Sequence, residues 1–479
     1  MMKNYDSAEL KVGLFGIGLA AYWDQFDGLK KRLEGYLDIV DNRIRENGVT
    51  VVSAGLVDSP DKAFAAGRLF RQSDVDIIFL YVTTYALSAT VLPVVQRAKV
   101  PVIVLNLSPA ESINYQAFNQ LGDRMAMTGE WLAWCSACPV PEIASVFRQA
   151  NIPFYQVTGI LQGDPAVWQE VGHWIAAAKV AFTMYHNRLG LMGNYYGGML
   201  DIYSNLTLHC SSFGGHIEII EVDELTALKN TVTEEAVQAR ISEFHAAFDI
   251  QADCSAEELN RAARTSVALD ALAAKHQLGS LAYYYKGTGN EQNEDTMSSV
   301  ILGNSLLTAR GIPVAGEYEV RNAQAMKIMD SFGVGGSFTE YYAMDYRDDV
   351  VLMGHDGPGH ITIAAGKTRV RPLTIYHGKV GSGLSVEMSV KNGPVTLLSV
   401  VERGGSLLLL CAEGEAVPGP ILAIGNTNSR YRFPIGAKKF VEQWNAEGPA
   451  HHCAVGLGHI AGRIEKLGCL LNMAVVRIC

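Results

Sequence analysis

The chain has 479 residues, of which 48% are hydrophobic and 18% charged, so it is too apolar to be disordered and long enough to bury several cores. At about 150 residues per domain, this length indicates roughly three domains. The net charge of −10 excludes nucleic acid and anionic membranes as expected partners, because no general positive field exists to attract phosphate.

The sequence lacks the features of a membrane or secreted protein. Its longest apolar runs, such as Ile77 to Val82 and Leu407 to Cys411, are far shorter than the ~20 residues needed to span a bilayer. Lys3, Asp6 and Glu9 precede any apolar stretch, so we expect no signal peptide and a cytoplasmic location.

The eight cysteines are an ordinary number for a reduced cytosolic protein. Cys135 and Cys138 form a C-x-x-C motif, but no second pair follows, so a zinc ribbon is not expected. We expect both residues to be buried or incidental thiols, with a redox pair as the alternative.

The first third of the chain alternates short apolar runs with longer amphipathic stretches. The pattern predicts strands at Lys11 to Gly18, Thr50 to Val57, Ile77 to Val82, Val102 to Asn106 and Phe154 to Thr158. It predicts helices at Phe26 to Asn47, Pro60 to Gln72 and Pro139 to Ala150. Apolar strands that alternate with helices are typical of a parallel sheet covered on both faces, so we predict a doubly wound, flavodoxin-like domain.

A second alternating region extends to about Gly311. The pattern predicts strands at Arg188 to Met192, His216 to Val222 and Ser280 to Tyr285. It predicts helices at Pro165 to Tyr185, Thr233 to Phe248 and Ala256 to His276. We therefore predict a second parallel α/β domain.

From about Gly333, glycines and prolines punctuate short alternating runs. The pattern predicts strands at Val350 to Met353, His360 to Ala364, Val370 to Tyr376, Leu384 to Val390, Val395 to Val401, Leu407 to Cys411 and Ala474 to Ile478, with one helix at Ala437 to Trp444. Closely spaced strands without intervening helices predict a mainly antiparallel sheet or barrel.

Two features of the sequence could carry chemistry, and the first is Gly16-x-Gly18-x-x-Ala21 after the first strand. It matches a dinucleotide-binding fingerprint by letter. That fingerprint requires an acidic residue about 20 positions further on, at the end of the second strand, whereas here the strand ends at Asp58, about twice that distance away. Bulky residues also follow Gly18. We interpret the motif as a tight strand-to-helix turn and keep nicotinamide binding as an alternative.

The second feature is a set of carboxylates and histidines in the last third. Glu317 precedes the helical pattern Val320 to Phe332, and Glu340 follows it. Six of the twelve histidines also lie in this part of the chain, namely His355, His360, His377, His451, His452 and His459. Carboxylate and imidazole together suit a borderline divalent cation such as Mn²⁺, Co²⁺ or Ni²⁺.

The order and context of four of these positions resemble the L-arabinose isomerase family, within the arabinose/fucose isomerase group. The shared segments are Gly316-Glu317, Gly335 to Glu340, Gly354-His355 and Ala450 to His452. The resemblance implies three domains, at residues 1–179, 180–332 and 333–479, the first two flavodoxin-like and the last mainly antiparallel. It also implies a homo-oligomer, a hexamer or another trimer-based assembly, with sites near subunit interfaces.

The resemblance further implies a role for each matched residue. Glu317, Glu340, His355 and His452 would bind a divalent metal, most simply Mn²⁺, with Co²⁺ or Mg²⁺ as alternatives. Glu317 and Glu340 would also be the acid/base pair, with Glu317 as the base, and His451 would line the substrate site. Such a site isomerises an aldose to a ketose by stabilising an ene-diolate.

The chain departs from the family where the family contacts its sugar. The loop Gly18 to Tyr22 lacks the family's Gln-His pair, and Tyr318 to Arg321 replaces Gly-Asp-Trp-Lys. Lys286 stands where the family has an aromatic residue, and we expect it to contact an anionic group of a modified sugar. Tyr196 and His360 are further candidates for substrate binding. We therefore expect a small sugar other than L-arabinose itself.

The leading hypothesis is a cytoplasmic, metal-dependent aldose–ketose isomerase. An epimerase or lyase on the same metal site is the nearest alternative. An NAD-dependent oxidoreductase using Gly16 to Ala21 would need no divalent metal, and neither would a non-catalytic sugar-binding protein.

Overall fold

The computed structural model describes residues 9–374 and 381–479. The chain folds into two compact units, Met1–Phe182 and Thr183–Cys479. The predicted domain boundaries after residues 179 and 332 stay a prediction. His377 and the end of the strand predicted at Val370 to Tyr376 lie outside the described residues. Within those residues, no helix combines the length and the apolar character needed to cross a membrane.

The described residues form sixteen α-helices. They are α1 (Leu29–Arg45), α2 (Pro60–Ser73), α3 (Leu92–Ala98), α4 (Tyr115–Asn119), α5 (Arg124–Trp134), α6 (Val140–Gln149), α7 (Pro165–His186), α8 (Leu206–Phe213), α9 (Val222–Asn230), α10 (Glu234–Ala247), α11 (Ala256–His276), α12 (Glu291–Met297), α13 (Ile301–Ala309), α14 (Val320–Ser331), α15 (Ala437–Ala446) and α16 (Ala461–Leu471).

The same residues form nineteen strands. They are β1 (Lys11–Ile17), β2 (Thr50–Val57), β3 (Ile77–Tyr81), β4 (Val102–Ser108), β5 (Phe154–Ile160), β6 (Arg188–Gly193), β7 (His216–Ile220), β8 (Asp249–Ile250), β9 (Ser280–Tyr284), β10 (Val314–Ala315), β11 (Gly335–Asp345), β12 (Val350–His355), β13 (Arg369–Leu373), β14 (Gly383–Glu387), β15 (Gly393–Arg403), β16 (Ser406–Val417), β17 (Thr427–Arg432), β18 (His452–Leu457) and β19 (Ala474–Arg477).

The first unit contains a five-stranded parallel sheet in the order β2-β1-β3-β4-β5. This is the flavodoxin order, and it confirms the predicted doubly wound fold. Every residue of the central strand β3 is buried, as expected for a strand covered on both faces. Helix α1 buries Leu29, Leu33, Leu37, Val40 and Ile44, whose spacing of three or four residues places them on one helical face.

The turn after β1 differs from a phosphate-binding turn. Helix α1 begins at Leu29, 11 residues after Gly18, rather than directly after the glycines. The Trp23 indole lies over Gly18, where a Cβ atom would come within 2.7 Å of the ring. The indole also donates a hydrogen bond of 2.9 Å to Asp58, the acid that a ribose would need. These contacts favour the interpretation as a tight turn.

The second unit begins with a four-stranded parallel sheet in the order β10-β9-β6-β7. Helix α11 packs against α9, α10 and α13 in this region. The apolar faces of α9 and α11 and the strands beneath them share one core, which includes Leu225, Leu269 and Leu281. The predicted second parallel α/β region is therefore confirmed.

The last part of the second unit is a closed antiparallel barrel. Its six strands follow the order β15-β18-β11-β12-β17-β16, and β15 pairs with β16 along eleven residue pairs to close the ring. Strand β19 adds to β16 in parallel, and a small separate sheet has the order β14-β13-β8. This pairing confirms the predicted antiparallel C-terminal domain. Closure of the barrel also leaves few exposed strand edges.

Two local predictions are wrong. His360 to Ala364 does not form a strand, because Ile361–Ile363 is a 3₁₀ turn and Ala364 makes only an isolated bridge to Val390. Cys135 and Cys138 are not separate thiols but are joined as a disulfide between α5 and α6.

Candidate active site

Three neighbouring barrel strands bring distant parts of the chain to one place. Strand β11 lies between β12 and β18, and its Glu340 stands opposite both Gly354 and His452 in the pairing register. His355 is the last residue of β12, and His452 is the first of β18. Glu317 lies in the turn between β10 and α14. The fold therefore gathers the four residues that the resemblance singled out.

The turn that carries Glu317 has an unusual backbone. Glu317 and Tyr318 have φ angles of +57° and +64°, in the left-handed region that residues with a side chain rarely occupy. Such residues cost of order 1–3 kcal/mol each and persist where the surroundings hold them. The Tyr318 N–H donates to the Tyr283 carbonyl, and the Glu319 N–H donates to that of Gly316, each at 3.0 Å. These two backbone hydrogen bonds hold the strained turn that carries the Glu317 side chain.

Gly354, which precedes His355, is required for a steric reason. A Cβ atom at Gly354 would lie 1.9 Å from the Thr427 carbonyl oxygen of β17, so any side chain would force the two strands apart. Phe338 packs against both imidazoles, with ring centroids 4.4 Å from His355 and 4.2 Å from His452. Close strand contact and one aromatic ring thus set the positions of both histidines.

Glu317 lies among three imidazoles. Its Oε2 atom is 3.6 Å from the Nε2 atoms of both His451 and His452, and its Oε1 atom is 4.0 Å from that of His355. Glu317 Oε2 and His452 Nε2 are buried and have no hydrogen-bond partner. A separation of 3.6 Å is too long for a hydrogen bond but close to the roughly 3.4 Å edge of a tetrahedron with metal–ligand bonds of about 2.1 Å.

The other nitrogen of each imidazole is already committed to an oxygen of the protein. The Nδ1–H groups donate to the Asp201 carboxylate from His451 at 2.6 Å, to the Glu319 carboxylate from His452, and to the Asp356 carbonyl from His355 at 2.7 Å. Such partners fix the tautomer and the direction of a ligating histidine. In the neutral imidazole, each Nε2 atom directs its lone pair toward Glu317, which is the arrangement that a metal ion needs.

The ionisable groups of the site have pKa values that this environment shifts in different directions. Burial raises the pKa of Glu317, but His451, together with His452 and His355, outweighs it and lowers that pKa below its usual value. Burial raises the pKa of Glu340 above its usual value. Burial lowers the pKa of His451, but Glu317 and Asp201 outweigh it and raise that pKa to about 9. The site around Glu317 therefore attracts positive charge.

A cavity of about 130 Å³ opens beside these groups. Its walls are formed by Tyr196, Tyr283, Ile301, Gly316, Glu317, Glu340, His355, Asp356, Gly357, Pro358 and Leu373. Tyr196 stacks near Tyr284, with ring centroids 4.7 Å apart. Three carboxylates, an imidazole and aromatic walls are the polar and apolar groups that a small polyol needs.

Not all predicted site residues meet at this cavity. Lys286 is exposed after β9 and is not among the residues that form the walls. His360 is buried elsewhere, with Nδ1 at 3.0 Å from Thr362 and Nε2 at 3.6 Å from Asp330. The structure brings Tyr196 together with the cluster but places Lys286 and His360 away from the cavity walls.

Two functional candidates were not identified from the sequence. Glu319 is 0% exposed, and Asp201 lies 250 residues from the histidine that it orients. Neither belongs to a recognisable motif of its own. The only sequence signal for Glu319 is its place two residues after Glu317, just before a helical pattern.

Comparisons with known proteins agree with this architecture. The family model for the L-arabinose isomerase C-terminal domain matches residues 335–474. An L-arabinose isomerase of Clostridium beijerinckii is 24% identical over 303 residues, which cover 60% of this chain and 59% of that protein. A sulfoquinovose isomerase of Alkalicoccus urumqiensis is 26% identical over 180 residues, which cover 36% of this chain and 39% of that protein.

The matches thus span about two fifths and three fifths of the length of these relatives. The matched C-terminal region contains Glu340, His355, His451 and His452, and the fold places it after two parallel α/β regions. The last part of the chain is therefore similar to the C-terminal domain of L-arabinose isomerases, and the chain resembles these sugar isomerases over part of its length.

Proposed function

We propose that the protein is a metal-dependent aldose–ketose isomerase acting on a small sugar other than L-arabinose. The observation that carries this proposal is the pair Glu317 Oε2 and His452 Nε2, which face each other at 3.6 Å without hydrogen-bond partners. Two buried acceptors in this relation are costly unless a cation lies between them. The names of the two relatives, both sugar isomerases, support the reaction class.

The residues present fit a divalent cation. Glu317, His355 and His452 would hold it, and Mn²⁺ or Co²⁺ suits a set of mixed oxygen and nitrogen donors. When bound, such an ion supplies positive charge to the sugar oxygens as negative charge develops on them. The carboxylate of Glu319 would keep His452 in the ligating tautomer.

Glu340 is the better candidate for proton transfer. It lines the cavity, and among the described residues no lysine, arginine or histidine nitrogen lies within 4.0 Å of its carboxylate. Burial raises its pKa, which brings the group closer to the pH at which a general base works. Glu317, whose pKa is lowered, is better suited to bind than to accept a proton. Glu340 would take the proton from one carbon of the sugar and return it to its neighbour.

The cavity also guides the choice of substrate. Tyr196 and Tyr283 give it aromatic walls on which the carbon skeleton of a sugar would pack, while Glu340 and Asp356 offer acceptors for its hydroxyl groups. Lys286 and His360 remain predicted contacts, but they lie away from these walls. The predicted homo-oligomer, a hexamer or another trimer-based assembly, and the cytoplasmic location also remain proposals.

A turnover assay tests the proposal. Protein stripped with a chelator and reloaded with Mn²⁺ or Co²⁺ is incubated with a panel of free, uronic and sulfonated aldoses and ketoses, and interconversion is followed by NMR in D₂O. We expect metal-dependent isomerisation of at least one sugar, with deuterium entering at the carbon that exchanges its proton.

The variant Glu340→Gln should lower kcat by about 10²–10⁴-fold, the usual contribution of a general acid–base group. The matched control Glu415→Gln changes an exposed glutamate of the same barrel and should leave kcat unchanged. Epimerisation or cleavage instead of isomerisation would favour the related alternative. Turnover that is unchanged after the chelator has removed the metal would contradict the proposal.

A further inference from the structure

The first turn of helix α14 is buried and has no cap. Val320, Arg321 and Asn322 are at most 5% exposed, and none of their backbone N–H groups donates a hydrogen bond to another described residue. The side chain of the N-cap residue, Glu319, contacts His452 instead of capping the helix. Free N–H groups and the helix dipole give this end a partial positive charge, which favours a bound anion.

Arg321 adds a full positive charge to the same turn. It is the second residue of the helix, and long helical side chains point back toward the N-terminal end. Its Nε and Nη2 atoms are buried without a hydrogen-bond partner, and among the described residues no Asp or Glu oxygen lies within 4.0 Å of its guanidinium nitrogens. A buried charge without a counter-charge is costly, so we expect an ion to pair with it.

The side chains near Arg321 do not supply the missing negative charge. Burial raises the pKa of Tyr195, and burial lowers the pKa of His209 to about 4, so both groups are neutral at pH 7. The charge of Arg321 opposes the first shift and adds to the second, which places it near both groups. Glu402, an acid of this region, already accepts hydrogen bonds from Ser204 Oγ at 3.0 Å and from the following backbone N–H at 3.1 Å.

The loop after β6 packs on this helix end and is itself open to solvent. The ring centroid of Tyr195 lies 4.8 Å from that of Tyr318, the residue before the N-cap. Tyr195 is partly exposed, and no atom lies within 4 Å of a Cβ atom built on Gly197 or Gly198. Tyr196, in the same loop, lines the proposed substrate cavity. The loop thus borders both the end of α14 and the cavity.

We infer that the first turn of α14 and the guanidinium of Arg321 form a binding site for a small oxyanion, a phosphate, sulfate, sulfonate or carboxylate group. Backbone N–H groups suit such oxygens, and the planar guanidinium can bind two of them at once. A free inorganic ion and the charged end of an anionic sugar supply the same oxygens. The site needs neither the metal nor the proposed reaction.

Anion binding by the chelator-stripped full chain tests this inference without metal or turnover. Inorganic phosphate, sulfate, a uronic aldose, a sulfonated aldose and a neutral aldose are each titrated by calorimetry. Chloride at the same ionic strength accounts for screening. The variants are Arg321→Met, which removes the charge, and Arg321→Lys, which keeps it. The control is Arg347→Met, at an exposed arginine in the hairpin between β11 and β12.

We expect saturable binding of at least one of the anions, with a matching rise in the midpoint of thermal unfolding. Arg321→Met should weaken this binding by about 10–100-fold, the usual effect of losing hydrogen bonds between charged groups. Arg321→Lys should retain part of the affinity, and Arg347→Met should retain all of it. A thermal melt of anion-free Arg321→Met checks folding, and its midpoint should not fall, because the variant removes an unpaired buried charge.

The same titrations identify the source of the anion. A site for free ions binds phosphate or sulfate and does not prefer a charged sugar to the neutral one. A site for the charged end of a substrate binds the uronic or sulfonated aldose more tightly than the neutral aldose, and Arg321→Met abolishes that preference. Absence of binding by all the anions, or equal binding by folded Arg321→Met, would overturn the inference. Failure of the proposed isomerase would leave these results unaffected.

Discussion

Replacement of Glu319 by glutamine is the sharpest test of how the site is held. Glu319 is fully buried, and its carboxylate accepts the Nδ1–H of His452. Glutamine preserves the size and can still accept a hydrogen bond, but it removes the charge that makes the imidazole a stronger ligand. Losing such a partner costs about 10–100-fold in metal affinity or activity, which corresponds to about 1.4–2.7 kcal/mol.

Two measurements separate this effect from a loss of folding. The metal dissociation constant and kcat/KM should both worsen by that factor, while the midpoint of thermal unfolding of the metal-free protein should not fall. One oxygen of Glu319 has no hydrogen-bond partner, so the loss of a buried charge offsets the weaker contact. Glu218→Gln, at an exposed histidine–carboxylate contact, is the control. Wild-type metal affinity in Glu319→Gln would refute the reasoning.

Three further predictions concern stability. Glu317→Asn should be more stable than Glu317→Gln by about 0.5–1 kcal/mol in urea unfolding, because asparagine tolerates the left-handed backbone; equal stability would argue against strain. Gly354→Ala should lose about 3 kcal/mol or more through its clash with β17, whereas Gly366→Ala, in open space, should lose little; similar losses would contradict the clash. Burial lowers the pKa of His209 from 6.5 to about 4. The free energy of unfolding should therefore fall as the pH falls from about 6.5 to about 4, because the unfolded state binds the proton more readily. In His209→Gln this decrease should be smaller by roughly 2 kcal/mol at about pH 4.5. An unchanged pH profile in His209→Gln would contradict this assignment.

The sequence predicted the layers of the fold well because hydrophobic periodicity reports directly on burial. The fully buried run of β3 and the regularly spaced apolar residues of α1 are clear signals of a covered parallel strand and an amphipathic helix. Segments with ambiguous composition were missed. Helix α16 contains two glycines, and Gly468 is present because a Cβ atom there would lie 2.2 Å from a Val475 side chain. That packing reason is visible only in the structure.

The site shows the same division between local and long-range information. The glycine contexts of Glu317, Glu340 and His355 mark positions where the backbone turns or strands approach closely, and these are recorded in the local sequence. The carboxylates that orient the histidines are set by long-range pairing. Asp201 meets His451 across 250 residues, and Glu319 meets its histidine across 133. Because neither contact leaves a local pattern, the sequence could not reveal it.

The measurement that tests the central claim most directly is anomalous diffraction from crystals grown with Co²⁺. We predict one strong anomalous peak about 2.0–2.3 Å from Glu317 Oε2 and His452 Nε2, bordering the cavity that contains Glu340. Such a peak would place a divalent ion at the centre of the proposed reaction. Crystals that contain Co²⁺ at other positions but show no anomalous density between Glu317 and His452 would contradict the account.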